Sequence, residues 1–105
     1  MKINIIHTTT DSNKMARHIA ESVVKEKLSP CVHIVPKIES IYNWNGKLEN
    51  SNEFLLIIKT LPKHVFKCKK HILKLHNYDI PEIMVTEGEI LLDTYSDWFL
   101  NNVAK

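Results

Sequence analysis

Apolar residues recur along the chain with two different periods. Lys2–Thr9 carries Ile3, Ile5 and Ile6 in a short run of strand character. From Met15 the period lengthens. Met15, Ile19 and Val23, with Ala16, Ala20 and Val24 beside them, line one side of a helix of about four turns. Arg17, His18, Glu21, Lys25 and Glu26 fill its other side, and the Thr8–Ser12 segment offers several N-caps. Leu28-Ser29-Pro30 is expected to end the helix, because proline biases the residue before it away from helical geometry. Cys31–Val35 returns to a strand, and Pro36 predicts a bulge or bend on a sheet edge.

The most informative stretch runs from Ile38 to Thr60. Asn45-Gly46 at its centre suits a two-residue type I′ turn, which needs positive φ at both positions. Before the turn, Ile38, Ser40, Tyr42 and Trp44 alternate with Glu39, Ile41 and Asn43. After it, Phe54–Ile58 is an unbroken apolar run, the pattern of a strand buried on both faces. The stretch therefore predicts a long β-hairpin with its base in a core and its aromatic outer part covering another subunit. Leu61-Pro62 opens a second helix, with Val65, Cys68, Ile72 and Leu75 as its apolar stripe. Its lysines, Lys67, Lys70 and Lys74, read as a solvated surface. Asn77–Ile80 is a turn closed by Pro81. Glu82–Thr86 is a further strand broken by Gly88, and Asp93 is placed to cap a last helix bearing Tyr95, Trp98, Phe99 and Val103.

The order β-α-β-β-α-β plus a C-terminal helix is the α+β, ferredoxin-like split βαβ arrangement, with an antiparallel sheet and both main helices on one face. The other face is left needing cover, and oligomerisation is the simplest source of it. The 105 residues suffice for one domain, 1–105. A net charge of +2 gives no reason to expect a nucleic-acid partner. No apolar run approaches the roughly 20 residues that a membrane-spanning helix needs. The start Met1-Lys2-Ile3 shows no leader pattern, so a cytoplasmic location is expected. Cys31 and Cys68 form no disulfide framework and read as reduced thiols.

Candidate chemistry is sparse. His64, Cys68 and His71 fall at i, i+4 and i+7, a spacing that could present copper or zinc ligands, although Cys68 also belongs to the apolar stripe. His7 sits late in the first strand and His76 at the end of the second helix. No nucleophile elbow or glycine-rich phosphate loop occurs, which argues against an enzyme and an organic cofactor. Lys59 directly follows the apolar run and is expected to reach solvent or to pair with Glu53 or Glu82.

Several spaced patterns then coincide. Cys31-Val32-His33-Ile34-Val35-Pro36 is followed by Ser40-x-Tyr42-x-Trp44-x-Gly46-Lys47-Leu48, by Glu53, by Ile58-Lys59-Thr60, by Leu75-His76-x-Tyr78-x-x-Pro81-Glu82-Ile83, and by Tyr95-x-x-Trp98. Together, over nearly the whole chain, they resemble the CutA family of divalent-cation tolerance proteins. The resemblance implies a homotrimer built like PII signalling proteins, with long hairpins exchanged around a threefold axis. It implies copper or another divalent cation as ligand and a role in metal-ion homeostasis. His7 stands where some members carry a cysteine used as a copper ligand, and His76 matches the histidine of the family's His-x-Tyr segment, also proposed as a ligand. Leu75 replaces a second histidine found in some members, and Leu91 stands where many members place a glycine. An inter-subunit cleft of Tyr42, Trp44, Glu53, Lys59, Tyr78, Glu82 and Trp98 is also implied. The alternative is a PII-like sensing module that takes a small molecule or an unidentified protein partner without a physiological metal role.

Overall fold

The computed structural model describes all residues, Met1–Lys105. Strand β1 (Lys2–Thr10) is followed by helix α1 (Asn13–Lys25) and by the paired strands β2 (Cys31–Trp44) and β3 (Lys47–Thr60). Helix α2 (Val65–Leu75), strand β4 (Ile83–Glu89) and helix α3 (Asp93–Asn101) complete the chain. The sheet order is β2-β3-β1-β4, and every pairing is antiparallel. This is the expected ferredoxin-like topology.

Alternation along β1 divides the two faces. Ile6, Thr8 and Thr10 are buried with Leu56 and Ile58 of β3. Ala16, Ile19, Ala20 and Val23 of α1 and Cys68 and Ile72 of α2 join Ile6, Leu56 and Ile58 in the main core. The other face carries Ile3, Ile5, His7 and Thr9, beside Leu55, Ile57 and Lys59. Only one end of that face is covered. There Phe99 and Val103 pack on Ile3 and Leu61, with Ile5 and Tyr95 alongside. Within a single chain the Phe54–Ile58 run has one fully buried face. Leu56 and Ile58 are fully buried, whereas Leu55 and Ile57 are half-buried on the open face.

Local chemistry sets the ends of the elements. Ser12 caps α1, its Oγ accepting the Met15 amide at 3.0 Å. The end of α1 comes before Pro30, contrary to expectation. Lys27 takes φ +58°, and the Lys27 and Leu28 amides turn back to the Val24 and Val23 carbonyls at 3.0 Å each. That is a Schellman motif with lysine in the left-handed position, and buried Leu28 is its apolar anchor. Gly88 does not break β4. It pairs with Ile3, and a Cβ there would meet Ile5 Cδ1 at 3.0 Å, so glycine lets the second face close at this end. Asp93 is the first residue of α3 and not its cap, a position held by Leu92 without a side-chain bond.

The hairpin follows expectation. Asn45 and Gly46 have φ +54° and +79°, and the Gly46 amide donates to Asn43 Oδ1 at 3.1 Å. The register slips between Val35 and Ile38, with Lys37 at φ +60°, as Pro36 foretold. Beyond this bulge, residues 41–50 are all exposed, and the molecule extends to 47 × 25 × 21 Å.

Lys27→Gly should relieve the left-handed strain at the end of α1, less the extra entropy of an unfolded glycine, for a gain of about 0.5–1 kcal/mol. The urea midpoint, with an unchanged slope, measures it. A midpoint that fell would contradict the role assigned to Lys27.

Candidate functional site

The segment between α2 and β4 is clamped to the end of β1. Thr10 Oγ1 donates to Asn77 Oδ1 at 2.7 Å, and Asn77 Nδ2 donates to Asp11 Oδ1 at 3.0 Å. His76 bridges the same elements. Its Nε2 lies 2.8 Å from the Thr9 carbonyl, and its Nδ1 accepts the Tyr78 amide at 3.0 Å. A carbonyl can only accept, so Nε2 carries the proton and the ring is neutral. Both nitrogens are therefore engaged by the backbone. Tyr78 packs on the His76 ring, with centroids 4.9 Å apart.

His7 is placed differently. It lies within β1, paired with Ile57 on one side and Met84 on the other, on the open face of the sheet. His33 of β2 sits opposite Ile57 in the same row. Pairing of β1 continues beyond His7 to Thr10. His7 and His76 do not form a closed site within one chain. Nowhere do three or more His, Cys, Asp or Glu side chains gather into a group able to hold a metal.

The His64, Cys68 and His71 stripe is also taken apart by its surroundings. His64 Nε2 meets the Ala104 carbonyl at 2.6 Å, anchoring the C-terminal tail. His71 Nε2 meets Ser22 Oγ at 2.6 Å, joining α2 to α1. Cys68 is fully buried near Thr60 and Leu28, and burial pushes its thiol above the usual range despite the Thr60 hydrogen bond. A protonated, enclosed thiol is a poor ligand.

The residues expected in a cleft divide into two groups. Tyr42, Trp44, Glu53, Tyr78 and Glu82 line one groove of about 850 Å³ between the outer hairpin and the 77–82 segment. Glu53 is only 6% exposed, and its Oε2 accepts the Tyr78 hydroxyl at 2.6 Å. Burial first, and then Glu53, raises the Tyr78 phenol well above its ordinary value. Lys59 and Trp98 belong to the second group. Lys59 Nζ lies 3.4 Å from the Tyr95 hydroxyl and 5.6 Å from that ring's centre, so it meets an aromatic residue and not the expected carboxylates Glu53 or Glu82. Trp98 stacks obliquely on Tyr95 with centroids 5.3 Å apart. Sequence reasoning missed Asp79 and Glu49 in the groove and Tyr95 beside Lys59. The spacing of Tyr95 and Trp98 along one helix was the available signal for the last.

Tyr78→Phe should leave the Glu53 carboxylate without its donor and lower stability by roughly 1–3 kcal/mol near neutral pH. The phenol's pKa is raised on folding, so its contribution is complete below the unfolded value of about 10 and is lost as pH rises further. Urea unfolding between neutral and strongly alkaline pH should therefore show parent and variant converging above about pH 10. A gap independent of pH would contradict the assigned bond.

Residues 4–102 match the family profile described as CutA1 divalent ion tolerance protein. The chain is 38% identical to the divalent-cation tolerance protein CutA of Thermus thermophilus over 103 residues, covering 95% of this chain and 97% of that one. It is 38% identical to the chloroplastic protein CutA of Arabidopsis thaliana over 101 residues, 93% of this chain but 54% of that protein. The chain thus spans about half the length of the plant relative. The CutA1 structure from Oryza sativa superposes with a TM-score of 0.93 at 34% identity, covering 99% of this chain and 94% of that one. The periplasmic divalent cation tolerance protein CutA from Archaeoglobus fulgidus gives 0.91 at 33% identity, covering 99% and 100%. Relatives named as chloroplastic and periplasmic give the cytoplasmic expectation no support. No helix is long and apolar enough to cross a membrane. A family match over residues 4–102, on a sheet and helices that superpose on those of its solved members, means that the chain belongs to the CutA1 divalent ion tolerance family.

Proposed function

We propose that this protein acts in metal-ion homeostasis as a divalent-cation tolerance protein, in the form of a copper-binding homotrimer with PII-like architecture. Family membership supports the link to divalent cations. The open sheet face supports assembly. Val35 and Met84 are 37% and 56% exposed there, beside half-buried Leu55 and Ile57. An apolar sheet face of this kind is normally covered by another layer. The projecting hairpin, with Trp44 52% exposed, is the arm suited to reach a neighbouring copy.

His7 is the first candidate ligand, because its imidazole stands on the face that a neighbouring subunit would enclose. His76 is the second. It becomes a ligand only by releasing the Thr9 carbonyl or the Tyr78 amide. Residues of one chain do not complete a copper site, so the donor set would be finished across a subunit boundary. No reaction is assigned, and the role proposed is binding and not catalysis.

A second reading is a PII-like sensing module. It is favoured by the division of the expected cleft. Tyr42, Trp44, Glu53, Tyr78 and Glu82 lie in one groove, and Lys59 and Trp98 lie elsewhere on the same chain. A neighbouring subunit would bring the second group to the first.

Titration with Cu²⁺ should show saturable binding that weakens by about tenfold or more in His7→Ala and in His76→Ala. Unchanged affinity in both variants would reject these ligands. Trp44→Ala should shift sedimentation from trimer towards monomer at low micromolar concentration, with the far-UV spectrum retained. A variant as fully assembled as the parent would reject the hairpin's role.

A further inference from the structure

Charge is unevenly placed along this chain. Residues 54–78 contain no aspartate or glutamate. Within them, Lys63, Lys67, Lys69, Lys70 and Lys74 fall on helix α2 and the turn that leads into it, and all five are exposed. The whole chain has a net charge of only +2, so the remainder is net negative. A small total thus conceals a concentrated positive surface. Helix α1 extends it. Packed beside α2 through the Ser22–His71 contact at 2.6 Å, it adds exposed Lys14, Arg17 and Lys25 against the single carboxylate of Glu21.

Apolar side chains stand in the middle of these charges. Cys68 and Ile72 turn one side of α2 into the core. Phe66 and Leu73 lie on the opposite side, 65% and 48% exposed. Their spacing of i to i+7 is nearly two full turns, so they share one line along the helix. Lys69 and Lys70 flank that line, one on each side, and the Lys70 ammonium lies 5.7 Å from the centre of the Phe66 ring. A single exposed apolar residue is ordinary. Two in line within a lysine cluster make an outward ridge that is apolar along its crest and basic on both flanks.

This ridge stays outside the proposed assembly. Helices α1 and α2 cover the sheet face opposite to the one that carries His7 and Met84, and the crest of α2 points away from the sheet. Its form and chemistry select a partner. A convex ridge has no groove to hold a peptide. A nucleic-acid backbone would pair with the lysines but leave Phe66 and Leu73 without an apolar contact. An anionic bilayer satisfies both. Its headgroups meet the ammonium groups, the lysine stems lie along its surface, and Phe66 and Leu73 enter the acyl boundary.

We propose that the outer side of α2 is a docking surface for an anionic phospholipid bilayer, on which the protein lies without spanning it. The surface uses no residue of the open sheet face, the hairpin or the groove, so it stands independently of the metal-binding and sensing readings.

Co-sedimentation of the intact protein with vesicles of equal parts phosphatidylserine and phosphatidylcholine, and with vesicles of phosphatidylcholine alone, tests it. Binding should be saturable on the anionic vesicles, absent on the neutral ones, and weaker as salt rises. Lys69→Gln together with Lys70→Gln should weaken it by roughly 25-fold, about fivefold for each lysine. Phe66→Ala together with Leu73→Ala should weaken it by about tenfold or more. All four side chains are exposed, so both double variants should fold and assemble like the parent, as far-UV spectra and sedimentation would show. No binding to the anionic vesicles, equal binding to the neutral ones, or unchanged affinity in either double variant would overturn the proposal. A gel-shift titration with duplex DNA provides the remaining arm. DNA binding that falls in the lysine variant but not in the apolar one, with the vesicles ignored, would reject the bilayer and assign the surface to nucleic acid.

Discussion

A four-stranded sheet has two faces, and this chain has helices enough for one. Packing α1 and α2 against Ile6, Leu56 and Ile58 accounts for the main core. The other face receives only α3, and only at the end bearing Ile3 and Ile5. The rest presents half-buried Leu55 and Ile57 and exposed Met84 around His7. Burial of apolar area is the main favourable term in folding, at roughly 25 cal/mol per Å². An incomplete second layer therefore leaves that stabilisation available to another copy. The proposed assembly, and with it the proposed roles of His7 and the hairpin, rest on this one imbalance.

The polar chemistry divides between two places on the chain. The α2–β4 segment is held by short bonds from Thr10, Asp11 and the Thr9 carbonyl to Asn77 and His76. That clamp fixes Tyr78 over Glu53 and forms one wall of the groove. The bulge at Pro36 and Lys37 bends β2 and carries Tyr42 and Trp44 to the other wall. The groove's walls are thus positioned by a hydrogen-bonded segment and a β-bulge. Lys59 and Trp98, held around Tyr95, form a separate surface near the partly covered end.

Much of this was legible in the sequence because it rests on local signals. Asn45-Gly46 announced the turn, Pro36 the bulge, and the spacing of Ile19, Val23, Cys68 and Ile72 the helix faces. What escaped depended on distant residues. The left-handed Lys27 ends α1 without the glycine that would have marked it. Gly88 looked like a break because its need for space comes from Ile5, far away in the chain. The partners of Glu53 and Lys59 are set by the paths of a loop and a terminal helix, which no periodicity records. His76 is recognisable by its place beside Tyr78, but its engagement with two backbone groups depends on how β1 ends.

The central claim is that the open sheet face is enclosed by further copies of the chain. Met84 reports on it directly, since it stands beside His7 on that face and is 56% exposed in a single chain. The most direct measurement is the rate of Met84 oxidation by dilute peroxide in the native protein, read by peptide mass spectrometry and compared with the urea-unfolded chain. Enclosure predicts a native rate at least about tenfold slower than the unfolded one, as for a buried methionine. Oxidation of native Met84 at the unfolded rate would contradict the account.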